Sequence, residues 1–267
     1  MALASTAAAR AAGTRLPGGS AIVRRNVVSY RKAWLVFLTG FAEPLLYLFS
    51  IGVGVGQLVD GFSVNGQLVS YAAFVAPGML AAAAMEGALL DSTYGIFFKL
   101  RYDKVYEAVL LTPMRSTDIA RGELAWCLLR GSVYSGGFLL VMTAMGLVSS
   151  WWAVLAWPAT TLIAFALAGA GMALTTFMRS WQDFEYIQLV VMPMFLFSAT
   201  FFPVTVFPDA VRWVVELTPL YRGVVLVREL TTGTLGAGAV WSVVYLALMG
   251  AVGLFVAARR FDKLLLH

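Results

Sequence analysis

The stretch VSYAAFVAPGMLAAAAMEGALLDSTYGIFF, residues 69–98, decides the fold. Its only charged residues are Glu86 and Asp91. A helix needs roughly 20 mostly apolar residues to cross about 30 Å of hydrocarbon, and this run is longer than that. Helix is the reading because a helix satisfies its own backbone hydrogen bonds inside lipid. The short alternation of a transmembrane strand is absent.

Comparable runs occupy 34–59, 119–148, 152–178, 186–202 and 239–257. The expected fold class is therefore an all-α polytopic membrane protein with about six spans, a single transmembrane domain over 21–267 after a loose Ala/Gly-rich tail over 1–20. Composition agrees. The chain is 60% hydrophobic and 12% charged, against roughly a quarter charged in soluble domains. No secretory signal is evident at the N-terminus.

Orientation follows from the basic residues. Of 19 Lys and Arg, those at 10, 15, 24, 25, 31 and 32 precede the first run. Lys99, Arg101, Lys104, Arg115 and Arg121 fall between the second and third, Arg179 between the fourth and fifth, and Arg259, Arg260 and Lys263 after the sixth. The loops at 60–67 and 149–150 have none. The positive-inside rule then puts both termini in the cytoplasm of a multi-pass protein of the cell membrane. The pI near 9.5 reflects this topology and gives no reason to expect nucleic acid as a partner.

Several chemistries are excluded by what is missing. No lysine sits in a G-x-x-x-x-G-K-[ST] loop, and Gly52, Gly54 and Gly56 lack the βαβ setting of a nucleotide site. Their plain reading is close helix packing or a loosened helix end. The one histidine is His267 and the one cysteine is Cys127. That leaves no catalytic triad, Cys–His pair, zinc site or internal disulfide. If the chain drives work, its energy source lies elsewhere.

Two segments are neither simple spans nor simple loops. In 98–115, FKLRYDKVYEAVLLTPMR, Tyr102, Val105, Tyr106, Val109 and Leu110 recur at spacings of three and four, with Asp103, Lys104 and Glu107 on other faces. The spacing predicts an amphipathic helix over about 100–110, ended before Pro113. It either lies on the headgroups or docks a cytoplasmic partner, and the two tyrosines with mixed charge favour docking. In 203–233, Pro208-Asp209 opens a short helix bearing an Arg212/Glu216 pair, and a second short helix covers 221–230. Two half-length amphipathic helices read as a re-entrant hairpin in the outer leaflet.

The whole set resembles the type-2 ABC exporter permeases, and within them the nodulation-factor (lipo-oligosaccharide) exporter permeases. The pieces are RRNVVSYRKAW at 24–34, EPLLYLFSIGVGVG at 43–56, YAAFVAPGML at 71–80 and YDKVYEAVLLTPM at 102–114. They continue with DIARGE at 118–123, MPMFLFSATFFPV at 192–204 and TPLYRGVVLVREL at 218–230. Two positions depart from the pattern: the family's usual Ser-Gly before Phe-Phe-Pro is Ser198-Ala199, and its usual His after Pro-Leu-Tyr is Arg222.

The resemblance implies an N-terminal amphipathic cytoplasmic helix and a dimer of membrane subunits, a homodimer being the expectation. Below them it implies two copies of a separate ATP-binding subunit that holds the ATP and Mg, so this chain needs no cofactor of its own. Arg101, Tyr102, Lys104, Tyr106 and Glu107 would form the coupling element seated in the ATPase. Cargo would be lipid-like or amphipathic, such as a lipo-oligosaccharide, a glycolipid or a hydrophobic drug. It would pass between the subunits along spans one, two and five, past Glu43, Tyr47, Glu86, Phe195, Ser198, Ala199, Phe201 and Phe202. Span four would face lipid.

Ionisable residues within spans need explaining. Glu43 precedes Pro44, and Arg130 in the third span has Glu86 and Asp91 in the second as possible partners. A structural pairing and a role in substrate passage both remain open. So does a different class of function, a stand-alone proton-coupled carrier relaying through Glu43, Glu86 or Asp91.

Overall fold

The computed structural model describes residues 18–31, 42, 44–58, 62–64 and 67–265. Glu43 and the stretches 1–17 and 32–41 lie outside the described residues, and with them much of the first expected span. Among the described residues, four helical segments are long and apolar enough to cross a bilayer: Tyr71–Arg101, Ser116–Ala144, Trp151–Thr175 and Ala237–Leu265.

The elements run in this order. Helix α1 is Gly18–Arg31, so its first turn already occupies the end of the stretch read as a tail. Pro44–Gln57 is a shorter apolar helical segment with a π-turn at Leu48–Val53. A two-stranded antiparallel hairpin follows, β1 Phe62–Val64 with β2 Gln67–Val69, pairing Phe62 with Val69 and Val64 with Gln67. Among the described residues the regular structure is helical apart from this small hairpin, where a plain loop was expected.

Helix α2, Tyr71–Leu90, is capped by the Ser70 hydroxyl, which accepts from the Ala73 amide. It continues through a π-turn at Asp91–Gly95 into α3, Ile96–Arg101. Next come α4, Val105–Leu110, and α5, Ser116–Ala144, whose start is closed by Asp118 accepting from the Arg115 amide. A 3-10 turn at Trp151–Leu155 leads into α6, Ala156–Thr175. Helices α7 (Asp183–Leu196), α8 (Asp209–Leu217), α9 (Pro219–Thr232) and α10 (Ala237–Leu265) complete the chain.

Helix α6 is the centre of the bundle. Ile163, Ala164, Ala166, Leu167, Ala168 and Met172 are all buried, although α6 lies within the span expected to face lipid. The reason is its small residues. A Cβ on Gly169 would stand 2.6 Å from the Gly250 carbonyl oxygen, and one on Gly253 would stand 2.4 Å from the Gly169 carbonyl carbon. In lipid, where burial of apolar area gives helices no reason to associate, such backbone contact is the main source of packing energy. On α10 the buried stripe is Ala239, Ser242, Leu246, Gly250, Gly253, Ala257 and Phe261. Bulky Trp241, Leu248 and Phe255 point outward.

The expected fifth span, 186–202, differs most. Helix α7 starts earlier and stops at Leu196 after 14 residues. The Ser198 hydroxyl bonds the Phe195 carbonyl, and Ala199 takes a left-handed conformation at φ +56°, which ends a helix. Only Phe184 of α7 is buried, and Tyr186, Leu189, Val190 and Met192 are bare.

The basic residues Lys99, Arg101 and Arg260 gather at one end of the bundle with Asn26, Glu123 and Met178. At the far end, the Ser149 amide bonds the Thr231 carbonyl, and a Cβ on Gly233 would touch the Ser150 hydroxyl. Helix α9 enters between the long helices. It is framed by Thr218 and Pro219 at its start and by left-handed Gly233 at its end. Gly223 faces Ile163 of α6. Ten residues of helix, about 15 Å, separate Gly223 from Gly233.

Candidate functional site

Three groups of residues carry the chemistry, and the first is at the basic end. The amphipathic helix expected over about 100–110 is two short helices. The amides of Tyr102 and Asp103 both close on the Phe98 carbonyl, and Lys104 at φ +48° turns the chain before α4. Lys104 and Glu107 are 68% and 59% exposed, and their 3.9 Å contact is a weak surface pair. Tyr102 and Arg101 are also exposed, and Arg101 donates to the Met178 carbonyl.

Tyr106 is different: it does not lie on the exposed face. It is fully buried, packed against Phe261, and its hydroxyl donates to Glu123 Oε1 at 3.1 Å. The helical period explains this, since Val105, Tyr106, Val109 and Leu110 form the face that packs inward. Burial and then the Glu123 charge push the phenol well above its ordinary range, so it stays a donor.

Glu123 is 1% exposed and is the hub of this end. Its Oε2 accepts from Lys99 Nζ at 2.7 Å and from Asn26 Nδ2 at 3.0 Å, and Lys99 also donates to Asn26 Oδ1 at 3.3 Å. One carboxylate therefore ties together α1, α3, α4 and α5. The sequence reading quoted Glu123 in DIARGE without giving it a role. The available signal was a buried-side carboxylate at the mouth of an apolar run, facing a lysine at the end of the preceding one.

The second group lies deeper. Arg130 Nη1 donates to Asp91 Oδ1 at 2.6 Å, with both side chains buried. Arg130 also donates to the Tyr134 hydroxyl at 3.0 Å and the Tyr30 hydroxyl at 3.2 Å, and Tyr30 donates onward to Asp91 at 3.0 Å. The Tyr30 phenol, on α1, is pushed up to about 12 by burial and by Asp91, and so remains protonated. Of the expected charge network, Asp91 and Arg130 meet directly. Glu86 lines a cavity with Arg130 and Tyr134. Tyr30 was not foreseen, because nothing in one sequence shows α1 folding back onto α5.

The third group is at the far end. Tyr47 meets Phe195 edge-on, with centroids 6.4 Å apart, and Phe195 meets Phe201 at 5.4 Å. Ser198 is buried and bonds Thr200. Phe202 points outward, away from that cluster. The Ala199 carbonyl accepts from Arg228 Nη2 at 2.8 Å, and the same nitrogen reaches the Phe74 carbonyl at 3.3 Å. The guanidinium lies 4.1 Å from the Phe74 ring centroid. Arg228 thus clamps α9 to the α7 end and to α2, a role the sequence reading missed.

Residues 19–232 match the family described as ABC-2 type transporter. Nodulation protein J of Rhizobium leguminosarum bv. trifolii is 37% identical over 227 residues, 82% of this chain and 85% of that protein. Nodulation protein J of Rhizobium meliloti (strain 1021) is 34% identical over 217 residues, 80% and 81% of the two chains. That of Sinorhizobium fredii is 31% identical over 249 residues, 92% and 93%. With the long apolar helices, these likenesses mark a multi-pass membrane protein, and the chain belongs to the ABC-2 type transporter family.

Proposed function

We propose that this chain is the membrane subunit of an exporter that moves a lipid-like or amphipathic molecule, of the lipo-oligosaccharide kind, outward across the cell membrane. Two copies of the chain stand over two copies of a separate ATP-binding subunit, which supplies the ATP and Mg. Six spans, cytoplasmic termini and a re-entrant α8–α9 hairpin complete this reading. Its support is the family, the basic residues collected at one end, and the packing of Gly223 on Ile163 of α6.

The observation that carries the reading is the construction of the segment 101–107. Arg101, Tyr102, Lys104 and Glu107 are offered to solvent on a base fixed by Tyr106 and Glu123. A push on that exposed edge passes through the carboxylate to α1, α3 and α5. Helix α7 and Pro44–Gln57 carry bare apolar faces, at Leu189, Val190 and Met192 and at Leu46 and Phe49, suited to a second copy of the chain. The path for cargo then lies beside the Tyr47, Phe195 and Phe201 cluster.

The test is purification from native membranes with mild detergent. An ATPase that co-purifies, and is lost when Lys104 and Glu107 are both reversed in charge, supports the reading. A lone chain that moves solute on a proton gradient supports the carrier. The pairing of Asp91 with Arg130 speaks against free proton cycling at Asp91.

A further inference from the structure

Between α2 with its π-turn, α5 and α7 lies a cavity of about 290 Å³ whose wall carries Glu86, Tyr94, Arg130, Tyr134 and Gln188. Gly87, Leu89, Leu90, Thr93, Ile187 and Val191 complete it. We propose that this chamber is a subsite, one in each subunit, for the uncharged hydroxyl- or amide-bearing head of the amphipathic cargo.

Polar groups at membrane depth are costly unless satisfied, so a chamber walled this way calls for a hydrogen-bonding occupant. Gln188 makes no hydrogen bond among the described residues, and the Tyr94 hydroxyl makes none either. Those two groups present donors and acceptors to the space. Charge decides the class of head. Arg130 is already neutralised by Asp91 at 2.6 Å, so the wall offers no spare positive charge to a phosphate or sulfate. Glu86 opposes an anion further. The volume is near the lower limit of small-ligand pockets, roughly 300–1,000 Å³, and suits one ring or amide group.

Placement fits the first step of export on the function proposed above, on which this inference rests. Gln188 lies five residues into α7, about 8 Å from its basic end, at the level where an inner-leaflet head enters hydrocarbon. The ring of Tyr94 stacks on Phe184 with centroids 4.0 Å apart, and Trp181 packs edge-on against both. This gives an aromatic face at the mouth. Helix α7 is the least packed wall, so an apolar tail can lie along its bare face, between the two copies of the chain, while the head is held within.

The test uses the full chain in lipid nanodiscs, with whatever partner co-purifies. It uses two photoreactive probes of equal dodecyl chain, one with a maltoside head and one with a phosphocholine head, each with the reactive group in the head. The maltoside probe is expected to label peptides carrying Tyr94, Tyr134 or Gln188 and to saturate at one per subunit. The phosphocholine probe should label them at least fivefold less. Gln188→Trp fills the chamber from an exposed position, and should cut maltoside labelling there tenfold or more while labelling near Trp151 is unchanged. Gln188→Leu should cut it severalfold. Equal labelling by both heads, saturation at one per two subunits, or indifference to both substitutions overturns the subsite. Head labelling needs no ATPase, so loss of the partner with labelling intact sinks the exporter reading alone. A co-purified ATPase with an unlabelled chamber sinks only the subsite.

Discussion

The Tyr106 hydroxyl donates to the Glu123 carboxylate across 3.1 Å, and this one bond joins the short helix after the second long span to the start of the third. It makes α4 a fixed lever with an exposed edge, since the same carboxylate holds Lys99 and Asn26.

Tyr106→Phe keeps the packing on Phe261 and removes only the hydroxyl. A hydrogen bond to a charged group is worth about 1.5–3 kcal/mol, so a modest fall in thermal stability is expected. Transport per ATP hydrolysed should fall severalfold, while partner binding, which uses exposed residues, holds. Tyr106→Ala would instead open a cavity and cost about 3–5 kcal/mol, making it a poor probe of coupling. Melting in detergent together with transport-to-hydrolysis ratios checks both.

Breaking the buried pair should be costly on one side only. Arg130→Met leaves Asp91 charged and without its cation, with a loss of about 3–5 kcal/mol, whereas Arg130→Met with Asp91→Leu should recover much of it. A double-mutant comparison of thermal midpoints reads this directly. Equal losses in the single and double variants would show that Asp91 and Arg130 do not compensate each other.

Ala199→Gly should be tolerated or slightly stabilising. A left-handed non-glycine residue costs roughly 1–2 kcal/mol, against about 0.8 kcal/mol for losing a buried methyl group. Ala199→Trp has no such space beside Val215 and Tyr221, and should stop export while ATP hydrolysis persists.

Gly253→Leu should prevent assembly of the bundle, because Gly169 backbone atoms occupy the site of its first side-chain carbon. Loss of a monodisperse peak on size exclusion is the expected result, and normal folding would contradict the α6–α10 contact. For orientation, cysteine at exposed Ser149 should react with an impermeant reagent from outside and cysteine at exposed Asp103 should not.

Much of this architecture was legible. Runs near 69–98 and 239–257 are long and apolar enough that helix and membrane follow from length alone. Pro208-Asp209 marks the first of the paired short helices by its start signal, whereas the second, expected over 221–230, begins earlier at Pro219. What escaped was whatever depends on partners far apart in sequence. Burial of α6 rests on Gly169 meeting Gly250 and Gly253, and apolar composition does not distinguish a helix-facing glycine from a lipid-facing one. Tyr106 looked like a docking residue because an amphipathic helix has two faces, and the sequence does not say which face the rest of the chain covers. Arg228 and Glu123 read as ordinary charges until the loops that bring carbonyls and Lys99 to them are in place.

The most direct test of the central claim is Glu123→Gln in the complex purified with its ATPase, which keeps the size of the hub and removes the charge that holds Tyr106, Lys99 and Asn26. If this carboxylate couples the two subunits, the variant should bind the ATPase and hydrolyse ATP as the wild type does, with transport per ATP hydrolysed down severalfold. Unchanged transport per ATP hydrolysed would contradict the account.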